Sequence, residues 1–165
     1  MTIQFQSSVL FVRDIQASRR FYEEPLGQEV EMDFGANVGY KGGFAIWQVD
    51  SAFQMVFEGP ADAEGRLGRD NFELYFESPD LDAVWTRLSS QEVEVVHALR
   101  EQPWGQRAIR ICDPDGHIVE IGEPMPIVVA RFLAQGMTAE AVAERTFMPL
   151  EFVQQVAASS TANQK

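Results

Sequence analysis

Cysteine, histidine, positive charge and long apolar runs are what this 165-residue chain has least of. Cys112 stands alone, so no disulfide framework can form within the chain. It reads as a small buried strand residue rather than a nucleophile. Only two histidines occur, His97 and His117. Neither has a Ser or Cys partner at a recognisable spacing, which leaves no nucleophilic triad to read. A phosphate-cradling glycine loop is also missing, because Gly42-Gly43 reads as a turn. No 18-residue apolar span occurs, and no basic segment followed by an apolar run opens the chain. The expectation is a cytoplasmic protein without a membrane partner. Thirteen Lys and Arg face 25 Asp and Glu, a formal net charge of −12. That balance argues against nucleic acid and favours a neutral or cationic ligand.

What is present reads as strands and helices in a regular order. Residues 5–12 alternate in strand fashion, with Ser7, Val9 and Phe11 on one face. Asp14 can cap a helix over 15–25, which Pro25 and Gly27 end. Strands follow at 29–34, 38–40 and 44–49. Residues 51–70 are acidic, contain Pro60 and three glycines, and lose periodicity after Phe57, so they read as a linker with at most one helical turn. From Asn71 the order returns: a strand at 72–77, a helix at 81–90 capped by Asp80, and a strand at 92–96. Two strands around Asp113-Pro114-Asp115-Gly116 close the series. Pro114 presets φ there and Gly116 supplies a left-handed turn residue. On the second of these strands Ile118, Glu120 and Gly122 share one face, and His117, Val119 and Ile121 the other. Glu120 is thus a carboxylate on an otherwise apolar strand, and it needs a cation or hydrogen-bond donors.

The two series are a repeat. Gln28-Glu29-Val30-Glu31 recurs as Gln91-Glu92-Val93-Glu94, and residues 40–47 lie over 113–120. Each half reads β-α-β-β-β, a unit whose half-apolar sheet must be covered by another. After Pro124 the pattern becomes helical: 126–134, then a helix from the Thr138 cap to Arg145, then one opening at Pro149, with 158–165 as a frayed tail. These last helices have the rhythm of a helix-turn-helix, but residues 126–165 balance Arg131, Arg145 and Lys165 against Glu140, Glu144 and Glu151. A DNA-reading helix would carry an excess of Lys or Arg. Packing against the sheets or a partner chain is the other reading.

Val12-Arg13-Asp14-Ile15 through Phe21-Tyr22, Leu26-Gly27, Pro103-Trp104-Gly105 and Asp113 to Glu120 together resemble the vicinal oxygen chelate superfamily. That superfamily includes glyoxalase I, bleomycin-resistance proteins, fosfomycin-resistance transferases and extradiol dioxygenases. The resemblance covers about residues 5–123 and implies an α+β fold: two paired βαβββ modules forming a concave mixed-sheet cavity. With the helical extension, the expected boundaries are 5–50 and 71–123 for the modules, 51–70 for the linker, 124–157 for the extension and 158–165 for the tail.

The resemblance also implies metal-ligand positions, which fall here on Ser7, Trp47, Glu73 and Glu120. Ser7 is a poor ligand and Trp47 none. A catalytic ion usually needs about three protein ligands, so no metal cofactor is expected. A divalent ion, if bound, would rest on Glu73 and Glu120. Those carboxylates either form a cavity pair or bond to backbone amides, Arg107, Arg110 or water. Trp47 either stacks on a ligand or fills the core. Phe11, Phe34 and Tyr75 are placed on the concave face and Trp104 at its rim. The expected function is small-molecule binding of the glyoxalase/bleomycin-resistance type without an obligatory metal. The alternatives are a metal-dependent lyase, transferase or dioxygenase, or a scaffold recruiting a partner through its C-terminal helices. Apolar Val128, Val129, Phe132, Leu133, Phe147, Phe152 and Val156 suggest a homodimer, some of them covering a partner's surface.

Overall fold

The computed structural model describes residues 4–60, 67–68 and 71–162. Two compact units divide the chain. The first is Met1–Glu73 with Cys112–Ile118, and the second is Leu74–Ile111 with Val119–Lys165.

In the first unit the strands are β1 (Ser8–Val12), β2 (Val30–Asp33), β3 (Asn37–Tyr40) and β4 (Phe44–Gln48). Their order is β1-β4-β3-β2, with β1 parallel to β4 and the other pairs antiparallel. Helix α1 (Ile15–Glu23) begins where Asp14 accepts from the Gln16 and Ala17 amides, at 2.9 and 3.0 Å. Its Phe21 and Tyr22 are buried with Leu10, Val12, Val38, Tyr40, Phe44 and Ile46. Tyr40 stacks on Phe44 with ring centres 4.8 Å apart, and Tyr22 tilts against Phe44 at 5.3 Å. Burying a ring or branched side chain of this size stabilises by about 1.5–3 kcal/mol. Register pairs Val9 with Ala45 and Phe11 with Trp47, so these four share the face opposite Leu10 and Ile46.

A second helix, α2 (Val49–Phe57), occupies the start of the stretch that the sequence suggests is linker. Val49, Ala52, Phe53 and Val56 recur at helical spacing, and Val49 and Ala52 are buried. Gly59-Pro60 follow directly, and their punctuation obscures the helix in the sequence. The remainder of the expected linker at 61–66 and 69–70 lies outside the described residues.

The second unit repeats the pattern with β5 (Glu73–Glu77), α3 (Leu81–Ser89), β6 (Glu94–Glu101), β7 (Arg107–Cys112) and β8 (Ile118–Gly122), in the order β5-β8-β7-β6. Asp80 caps α3 by accepting from the Ala83 amide at 2.9 Å. Leu81, Val84 and Leu88 form its buried face. Strand β6 runs to Glu101, five residues beyond the strand read at 92–96.

Helices α4 (Met125–Ala134), α5 (Ala139–Thr146) and α6 (Leu150–Ala162) complete the unit. Their apolar side chains meet one another: Val128, Val129, Phe132, Val142 and Val153 form one buried cluster, against which Leu133, Phe152 and Val156 pack. The extension therefore has a core of its own. Only Phe147 of the apolar set remains largely exposed. Helix α6 continues through Ala162, past the point where fraying is expected, and 163–165 lie outside the described residues. Buried Glu123 ties α4 to β7 through ion pairs with Arg107 and Arg131, at 3.1 and 2.9 Å.

Candidate functional site

The turn Asp113–Gly116 is the most heavily bonded feature of the first unit. The Gly116 amide donates to the Asp113 carbonyl at 3.0 Å, and Gly116 holds φ +86°. Gly116 thus adopts the left-handed conformation that the sequence requires of it. Asp113 is buried and its carboxylate accepts four hydrogen bonds. One comes from the Tyr22 hydroxyl at 2.9 Å, and two come from the amides of Asp115 and His117 at 3.0 and 2.8 Å. The fourth involves His117 Nδ1 at 2.9 Å. Burial, and then the charge of Asp113, push the Tyr22 hydroxyl well above its ordinary pKa. Tyr22 is therefore a fixed donor at any physiological pH. Next to it, Asp115 accepts from the Arg13 amide and guanidinium, both at 2.9 Å.

Beside this turn lies a cavity of about 510 Å³ within the same unit. Its walls include Val9, Phe11, Phe53, Leu67, Phe72 and His117. Phe11 meets Phe53 edge-on with ring centres 6.0 Å apart, and it meets Trp47 edge-on at 6.1 Å. Helix α2 thus supplies one aromatic wall, β1 another, and the turn supplies an imidazole. Among the described residues this cavity joins a volume suited to a small ligand with a single ring nitrogen in a largely apolar lining.

The residues singled out from sequence fall in several places. Phe11 lines the cavity. Trp47 stands behind Phe11 and donates its indole N–H to the Ser51 hydroxyl at 3.2 Å. Phe34 is exposed and borders, with Ser7, a smaller hollow of about 350 Å³ against the first sheet. Ser7 precedes Ser8, the partner of Phe44, whereas Trp47 pairs with Phe11. Ser7 and Trp47 are consequently four residues apart in register. Glu73 is exposed at the first position of β5.

In the second unit Glu120 is buried and ion-paired with Arg110, whose guanidinium also meets His97 Nε2 at 3.1 Å. This is one of the two fates open to Glu120 from sequence. Tyr75 and Trp104 are joined through Gln106, which donates to the Tyr75 hydroxyl at 2.8 Å and accepts from the Trp104 indole at 3.0 Å. Tyr75 in turn donates to Glu77 at 2.9 Å. Partial burial, then the Glu77 carboxylate, push the Tyr75 pKa up to about 12. Among the described residues no three His, Cys, Asp or Glu side chains cluster as a metal would require.

The sequence reading does not bring His117, Asp113 and Phe53 together, as the structure does around this cavity. Alternation places His117 opposite Glu120 on a strand starting at 117, whereas β8 begins at Ile118 and His117 lines the cavity of the first unit. The legible signal was Asp113 four residues earlier, across a turn that brings a carboxylate back to an imidazole.

The family model of the glyoxalase-like domain matches residues 5–126. The chain belongs to the glyoxalase-like domain family. That membership bears out the resemblance to the vicinal oxygen chelate superfamily and the α+β paired-module fold. Among solved structures, a protein of unknown function from Agrobacterium tumefaciens is 39% identical, with a TM-score of 0.70 over 74% of this chain and 95% of its own. A lactoylglutathione lyase from Agrobacterium tumefaciens is 24% identical, with a TM-score of 0.57 over 76% of this chain and 96% of its own. A glyoxalase/bleomycin resistance protein/dioxygenase from Nocardioides is 22% identical, with a TM-score of 0.58 over 74% and 84%. The last two likenesses are of fold alone. Uncharacterized proteins of Mycobacterium bovis and Mycobacterium tuberculosis are 31% identical over 83 residues, and the chain spans about half the length of these curated relatives.

Proposed function

We propose that this glyoxalase-like protein binds a small, largely apolar molecule in the cavity of its first unit, without an obligatory metal. The observation that carries this reading is the cavity itself, with Phe11, Phe53 and Phe72 on its walls and His117 beside them. Its volume is in the range of small-molecule sites, roughly 300–1,000 Å³. The donor chemistry at the four ligand positions does not fit a tightly held divalent ion. The indole of Trp47 is a donor only, and its N–H is used by Ser51. Ser7 offers a neutral hydroxyl, and the Glu120 carboxylate is already paired with Arg110. No step of the proposed function is routed through a metal.

The cytoplasm is the compartment that suits the reading, in keeping with Cys112 being buried and in no disulfide. No helix among the described residues is long and apolar enough to cross a membrane. The protein acts as a homodimer in this reading, because Phe5, Met32 and Phe34 leave apolar surface exposed in the first unit.

The test is a thermal-shift screen of neutral aromatic compounds on protein dialysed against EDTA, alongside elemental analysis of the untreated protein. Hits that raise the Tm of wild type but not of Val9→Trp, in which the cavity is filled, support the reading. One equivalent of Zn, Ni, Fe or Mn that Glu120→Gln loses would overturn the metal-free part. A screen in which no compound shifts wild type would overturn the binding part.

A further inference from the structure

His117 is held in one orientation by groups behind it. Its Nδ1 faces the Asp113 carboxylate at 2.9 Å, and its backbone amide donates to the same carboxylate. The Tyr22 hydroxyl and the Asp115 amide occupy the remaining acceptor sites of Asp113. A carboxylate facing Nδ1 places a proton there, and in that Nδ1–H tautomer Nε2 is the lone-pair acceptor. The His117 side chain is only 11% exposed, and the residue lines the cavity. Its Nδ1 is engaged, and Nε2 is the nitrogen that remains for an occupant. The rest of the lining is mostly apolar, with Phe11, Phe53 and Phe72 presenting aromatic carbon and Ser8 and Asn71 as the other polar side chains.

From this arrangement we infer that the cavity recognises a flat apolar molecule bearing one hydroxyl, of the phenol class, whose O–H donates to His117 Nε2. The inference rests on the small-molecule reading above and adds the chemical class of the ligand. An anionic ligand would meet the Asp113 carboxylate behind His117 and a chain of net charge −12. A ligand with no donor would leave Nε2 desolvated and unpaired. Asp113 and Tyr22 act through the imidazole as positioning residues.

The experiment compares 2-naphthol with 2-methoxynaphthalene, which has the same ring system but no hydroxyl proton. Calorimetric titration of wild type should give about tenfold tighter binding of 2-naphthol, the size of one buried hydrogen bond. In His117→Phe the two affinities should come within about twofold of each other, and in Val9→Trp both should be lost. A wild-type measurement covers the case in which His117→Phe does not fold. With two histidines in the chain, long-range proton–nitrogen correlation resolves both rings. It should show His117 as the Nδ1–H tautomer, with its Nε2 signal moving on addition of 2-naphthol and not on addition of the ether. Equal affinities in wild type, a preference that survives His117→Phe, or an Nε2 signal indifferent to 2-naphthol would each overturn the inference. If the affinities are equal and Val9→Trp abolishes both, the cavity reading stands and the phenol class falls. If neither compound binds wild type, both fall.

Discussion

Asp113 carries more of the first unit than any other polar side chain described. A buried carboxylate is tolerated only when its acceptor sites are filled, and all four donors here come from the turn itself or from α1. Removing the α1 donor leaves the ring packing intact and one lone pair empty. Tyr22→Phe should therefore lower stability by about 1.5–3 kcal/mol, the range for a hydrogen bond to a charged group. The urea midpoint measures this, and an unchanged midpoint would mean that the Tyr22–Asp113 bond adds nothing. Tyr75 gives a prediction in pH. Its folded pKa, about 12, is raised above the unfolded value near 10. The neutral phenol is the form that the fold favours, so the contribution is complete below pH 10 and is lost as the pH rises through 12. Wild type should lose more stability than Tyr75→Phe across that window. The phenolate absorbance missing from Tyr75→Phe should titrate near pH 12 rather than near 10.

At the level of elements, the fold was largely legible and the cavity was not. Capping aspartates at 14 and 80, alternation in β1 and β4, and the Pro-Asp-Gly turn are local signals with local causes, and each reappears in the structure. Helix α2 escaped because its nine residues are followed at once by Gly59-Pro60 and an acidic, aperiodic stretch. That omission hid Phe53, and with it one wall of the cavity. The extension was read as apolar surface seeking a cover. In fact α4, α5 and α6 cover one another, and pairing of that kind depends on loop geometry that hydrophobic spacing does not encode. One loop position fixes this region closely. Gly105 has φ +86°, and a Cβ there would lie 2.3 Å from the Phe132 ring. Gly105→Ala combines backbone strain with overpacking, and it should cost about 2–4 kcal/mol. Thermal denaturation checks this; a Tm within a degree of wild type would show that α4 can shift away at little cost.

None of Ser7, Trp47, Glu73 and Glu120 lines the cavity proposed as the ligand site. As a homodimer the whole molecule should scatter light at twice the 18.5 kDa of one chain at micromolar concentration. A mass of one chain would leave the exposed apolar face of the first sheet without its proposed cover. The central claim is metal-free binding in the cavity of the first unit, and calorimetric titration of 2-methoxynaphthalene into EDTA-dialysed protein tests it most directly, because this compound needs the cavity but no hydroxyl recognition. One site per chain, an affinity unchanged by adding back divalent metal, and no binding to Val9→Trp are the expected results. Binding that appears only with metal, or that persists undiminished in Val9→Trp, would contradict the claim.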